Sequence, residues 1–170
     1  MQIKCVPKKN SLYAWMLFYL VGFFLFYEMN IEVSASVTSQ DIMADFGIGA
    51  KEFGTSMMFY FCSLAGVQLI VGYLFDRYPL KRLLLISVGA MTVSLPLLSQ
   101  VHALWQMSLL RFTLGFGASF AWVSMLVVGI RWFSPEGYDF KVGMAQCCSA
   151  LGGMIGGSIV AYLLTILDWR

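Results

Sequence analysis

Residues 72–82 read GYLFDRYPLKR. An uncharged stretch ends at Asp76-Arg77, Pro79 follows, then Lys81-Arg82, and a second apolar run starts at once with LLLISVGAM. Three cations and one carboxylate thus occupy a very short connection between two greasy segments. That pattern makes sense if the segments cross a bilayer and the connection lies on one side of it. Uncharged runs on both sides bear this out. Asn10 to Tyr27, Phe53 to Phe75, Leu83 to Leu110, Phe112 to Ile130 and Val142 to Leu167 all lack Asp, Glu, Lys and Arg. A hydrocarbon core about 30 Å thick needs roughly 20 apolar residues at about 1.5 Å each.

Composition leads to the same class. The chain is 59% hydrophobic and only 12% charged, against about a quarter charged in a soluble domain. Its eleven basic and nine acidic side chains cannot clothe a soluble domain of 170 residues. The fold class is therefore all-α, a polytopic transmembrane helical bundle in one domain over residues 1–170. Spans are expected near 11–34, 52–75, 80–99, 103–130 and 142–167. The polar connection 35–51 has room for an amphipathic turn through Ile42, Met43 and Phe46. The first apolar run, behind Lys4, Lys8 and Lys9, is longer than a signal-peptide core and reads as a retained span.

Basic residues set the orientation. With the N-terminus cytoplasmic, Lys4, Lys8, Lys9, Arg77, Lys81, Arg82, Arg131 and Lys141 all fall inside, against Lys51 and Arg170 outside. This satisfies the positive-inside rule. The net charge of +2 is spread over these short connections, so nucleic acid is not an expected partner, whereas the lipid bilayer is. The expected location is the plasma membrane, which is the inner membrane in a Gram-negative cell.

Three charges lie where the bilayer penalises them. Arg111 is eight residues into the fourth span, about 12 Å deep at helical rise, and Glu28 lies about 9 Å below the outer end of the first, with Glu32 nearer that end. A charge in the hydrocarbon costs about 2.5–3.5 kcal/mol on insertion scales, so Arg111 is expected to face a partner or a water-filled cavity. Two roles fit: a fixed ion pair with Glu28 that orients the bundle, or a central cavity where Arg111 binds an anionic group or tunes a carboxylate. Tyr27, Asn30, Trp122 and Gln146 are candidates to line such a cavity. Catalysis has no foothold, with a single His102, no Ser/His pairing within spans and no HExxH. The chain is read as no enzyme, with no metal site and no cofactor. Cys5, Cys62, Cys147 and Cys148 show no ligand spacing and read as buried free thiols.

The fifth span, GMAQCCSALGGMIGG, places Gly152 and Gly156, and Gly153 and Gly157, at small-xxx-small spacing for close helix approach.

GYLFDRYPLKR resembles the loop between the second and third helices of the major facilitator superfamily, Gly-x-x-x-Asp-Arg-x-Gly-x-Arg/Lys-Arg/Lys. Gly72, Asp76, Arg77, Lys81 and Arg82 match, and Pro79 stands at the second glycine. RFTLGFGAS resembles the family's fourth-helix Arg-x-x-x-Gly-x-Gly pattern through Arg111, Gly115 and Gly117. Gly143, Gly152 and Gly156 fit part of the fifth-helix antiporter pattern, whose proline position is Gly157 here. Asp168-Trp169-Arg170 is similar to the entrance to a sixth helix.

The resemblance implies a partial N-terminal six-helix half of a secondary transporter, with a C-terminal half as the missing partner. It implies a small-molecule solute moved by alternating access, with proton and sodium both open as coupling ion. It assigns the loop to gating, Arg111 and Glu28 to a central cavity, and Gly115, Gly117, Gly143, Gly152 and Gly156 to helix packing. A truncated non-transporting membrane protein, or one part of a split transporter, is the alternative.

Overall fold

The computed structural model describes residues 11–167 and 169. Lys4, Lys8, Lys9, Cys5, Asp168 and Arg170 lie outside the described residues. Within them the chain is all-helical: α1 (Leu12–Val37), α2 (Ser39–Phe46), α3 (Ala50–Arg77), α4 (Leu80–Leu98), α5 (Leu104–Trp132) and α6 (Tyr138–Leu164). All but α2 are long and apolar enough to cross a membrane. In hydrocarbon every backbone N–H and C=O must be satisfied within the segment, and continuous helices do this.

Local chemistry sets the ends. Ser11 Oγ accepts the Ala14 N–H at 3.3 Å and starts α1. Glu52 reaches back to the Gly49 N–H at 3.1 Å and starts α3. Tyr78 and Pro79 alone separate α3 from α4. The residue before a proline is pushed out of the helical region, and Tyr78 is extended at φ −116°, ψ 152°. Pro79, at φ −66°, then opens α4, and its carbonyl accepts the Arg82 N–H at 3.0 Å. A proline at the second glycine of the loop pattern thus ends one helix and starts the next.

The polar 39–46 stretch forms a two-turn helix. Ile42 is 1% exposed and packs with Val101 and Met107, so its apolar face is driven against the end of the bundle. Gly47 ends it with φ 61°, the left-handed region where a side chain is strained. Helix α6 begins four residues before the expected 142, because left-handed Gly137 turns the chain. Lys141 therefore lies within its first turn and is buried, its Nζ donating to the Gly137 carbonyl at 3.2 Å beside the Phe133 ring.

Two parallel helix seams organise the bundle. On the first, α3 runs beside α5 with matched levels: Ser56 meets Ser108, Tyr60 meets Gly115, and Phe75 meets Arg131. On the second, α1 runs beside α6, with Phe26 against Gly152 and Asn30 against Gly156. Helix α5 is the most enclosed, wedged among α1, α3 and α4. Small residues fill these contacts, as they must where dispersion rather than water expulsion holds helices together. A Cβ on Gly115 would run into the Tyr60 backbone, and one on Gly117 into Met91 and the Ser87 carbonyl. One on Gly152 would strike the Phe26 backbone, and one on Gly156 the Asn30 side chain. Gly143 differs: it is exposed, and a Cβ there meets nothing within 4 Å, so it packs no helix among the described residues. The thiols depart from expectation too. Cys62 and Cys147 are free but exposed on outward helix faces, and Cys148 is half-buried.

Candidate functional site: a charged loop and a buried charged cluster

The loop residues sit at one end of the bundle. Asp76, in the last turn of α3, accepts a hydrogen bond from Arg131 Nη2 at 2.9 Å. The same Nη2 donates to the Phe75 carbonyl at 2.7 Å, so the cation also meets the free carbonyl end of α3. Arg131 ends α5 and is the partner the sequence did not disclose; a basic last-turn residue of another span was its only trace. Both side chains are well exposed, Asp76 at 82%, and exposed ion pairs contribute only about 0–1 kcal/mol. The pair therefore fixes geometry more than it stabilises the fold. Arg77 turns back along its own helix to the Tyr73 hydroxyl at 2.5 Å. Lys81 and Arg82 are exposed on the first turn of α4. Gly72 is exposed, with open space where a Cβ would stand.

The buried cluster draws on three helices. Glu28 of α1 is 5% exposed and Arg111 of α5 is 4% exposed. No ion pair joins them among the described residues. Instead Tyr60 of α3 donates its hydroxyl to Glu28 Oε1 at 2.9 Å. Glu32, one turn further along α1 and half-buried, lies beside the same hydroxyl. Arg111 is within electrostatic reach of Tyr60. Its Nε is enclosed and has no hydrogen-bond partner. One turn away, Ser108 donates to Ser56 at 3.2 Å and continues the polar seam.

Other candidates fall differently. Asn30 packs against Gly156, Tyr27 and Trp122 are half-buried, and Gln146 is exposed. His102 is exposed, and its backbone N–H donates to Gln106 Oε1 at 3.2 Å. A large apolar groove of about 1060 Å³ opens between α1 and α4, lined by Leu17, Leu20, Phe24, Leu84 and Val88. None of Glu28, Tyr60 or Arg111 lines it. Size alone would make the groove the site, but the chemistry sits in the cluster.

The Major Facilitator Superfamily profile matches residues 13–170. Among curated proteins, the chain is similar to the "Uncharacterized transporter YybO" of Bacillus subtilis, 26% identical over 138 residues, 81% of this chain and 32% of that protein. It is also similar to the "Probable sulfoacetate transporter SauU" of Cupriavidus necator, 23% identical over 138 residues with the same coverage. The alignments thus span about a third of the length of these relatives. No solved structure matches the chain.

Proposed function

The chain belongs to the Major Facilitator Superfamily, whose members are membrane transporters and not enzymes, and from that premise we propose that it forms the N-terminal helical portion of a secondary transporter working by alternating access. One observation carries this: Glu28, Tyr60 and Arg111, from three different spans, meet in the interior of a membrane bundle. Charges there are expensive and are retained for substrate or ion pathways. Glu28 is the proposed coupling carboxylate, carrying a proton that Tyr60 orients. Arg111 faces the solute.

The loop is the proposed cytoplasmic gate. Asp76, held by Arg131, marks one helix end, and exposed Lys81 and Arg82 reach toward the other half. Charge-assisted hydrogen bonds made in one state and broken in the other give the two-state element that alternating access needs. The positive-inside distribution supports a cytoplasmic loop and N-terminus, and the proposed location is the plasma membrane, the inner membrane in a Gram-negative cell.

A second reading is favoured by Gly72 and Gly143, both exposed on helix faces with open space around them. On this reading the chain transports nothing alone and works only beside another.

Uptake into proteoliposomes separates the two when the 170-residue chain is tested alone and joined to the C-terminal half of a relative. Sulfoacetate, the solute in one relative's name, is the first compound to test. Uptake driven by an imposed proton gradient is expected, lost in Glu28→Gln and at least tenfold slower in Asp76→Asn. A sodium-driven signal would replace the proton as coupling ion. Uptake only in the joined form would favour the second reading.

A further inference from the structure

Two enclosed polar atoms on the α3–α5 seam lack partners. One is Arg111 Nε and the other is Ser63 Oγ, in residues 4% and 2% exposed. Ser63 shares the buried face of α3 with Ser56 and Tyr60, about 4.5 Å along the axis from Tyr60. The arginine matters more. A guanidinium carries five donors and a permanent charge, and leaving it unmatched costs more than leaving a hydroxyl.

Of the two acids in the cluster, Glu28 is committed to Tyr60. Glu28 accepts the Tyr60 hydroxyl at 2.9 Å, and Glu32 lies beside it. No ion pair joins Arg111 to either among the described residues. Its neighbours at helical spacing on α5 are Met107, Ser108, Leu114 and Gly115; Met107 and Leu114 give apolar walls, and the Tyr60 backbone packs against Gly115. A guanidinium edge matches a planar pair of oxygens through two parallel N–H bonds. Sulfate or phosphate would ask for more donors than one guanidinium edge supplies, and would leave the apolar walls unused.

We propose that Arg111 is the binding residue for the acid group of a small organic anion, a carboxylate, sulfonate or phosphonate, whose oxygens take the Nε–H and an adjacent Nη–H. The carbon skeleton lies along the apolar walls. This names the solute class of the central site and rests on the transporter reading above.

The test is calorimetric titration of the 170-residue chain in lipid nanodiscs with malonate, methanesulfonate and phosphonoacetate, with malonamide as the neutral match for malonate. At least one acid is expected to bind saturably and malonamide not at all. Arg111→Gln should abolish the signal. Arg111→Lys, which keeps the charge and loses the fork, should weaken binding at least tenfold while preserving the fold. Three outcomes each overturn the proposal: no acid binds the wild-type chain, malonamide binds as well as malonate, or either arginine variant binds as the wild type does. Acid binding without vesicle uptake would retain the anion site and remove only the transport reading. Uptake of a neutral solute without acid binding would do the reverse.

Discussion

Tyr60 reconciles charges that the sequence could only place at similar depths. Arg111 and Glu28 are conspicuous because ionised side chains in a span are rare and costly, and an ion pair between them is the simplest resolution. The bundle answers otherwise, putting a phenol against the carboxylate and leaving Arg111 Nε unmatched. Tyr60 gave no signal in the sequence, since tyrosine is ordinary in membrane helices, particularly near interfaces. A buried phenol does need a partner, and that need was its only trace. An intramolecular hydrogen bond contributes about 0.5–1.5 kcal/mol net. Tyr60→Phe should therefore lower the unfolding midpoint of the detergent-solubilised protein, followed by intrinsic tryptophan fluorescence. An unchanged midpoint would mean that Glu28 finds another donor.

Among the elements, the glycines of α6 divide into two kinds. Gly152 and Gly156, four residues apart, face the α1 backbone and the Asn30 side chain respectively. That spacing was legible because small-xxx-small positions share one helix face. Gly143 came from the family pattern, and nothing in this chain stands against it. The two kinds predict opposite outcomes. Gly152→Ala forces a methyl into the Phe26 backbone and should destabilise by about 1–3 kcal/mol, the usual cost of overpacking. Gly143→Ala meets open space and should be neutral or stabilising by about 0.5–1 kcal/mol, the helix-propensity difference. Thermal aggregation midpoints of the two variants in the same detergent measure this directly. The early start of α6 was not legible, because it depends on Gly137 taking a left-handed conformation, which the charged run around it does not signal.

At the scale of the whole molecule, orientation is testable without any solute. In a background with the native cysteines replaced, Glu136→Cys should react with a membrane-impermeant maleimide only after permeabilisation. Gln40→Cys should react in intact cells. The opposite pattern would invert the topology and place GYLFDRYPLKR outside, which would overturn its proposed role as a cytoplasmic gate.

Runs without charge, of bilayer length, determine by themselves that the chain folds as membrane helices, because hydrocarbon offers the backbone no hydrogen-bond partner. The GYLFDRYPLKR pattern likewise identifies the family from sequence, since a tight charged turn between two spans depends on residue types at fixed local spacing. Which helix faces meet was decided only by tertiary structure. A helix apolar on both its lipid and its protein sides has no amphipathic stripe to reveal its inner face, so periodicity is silent where soluble helices are most legible. The pairing of Asp76 with Arg131 and the approach of Tyr60 to Glu28 both join residues from different helices. They follow from close packing at glycines, which sets how near two backbones come and therefore which polar groups can touch.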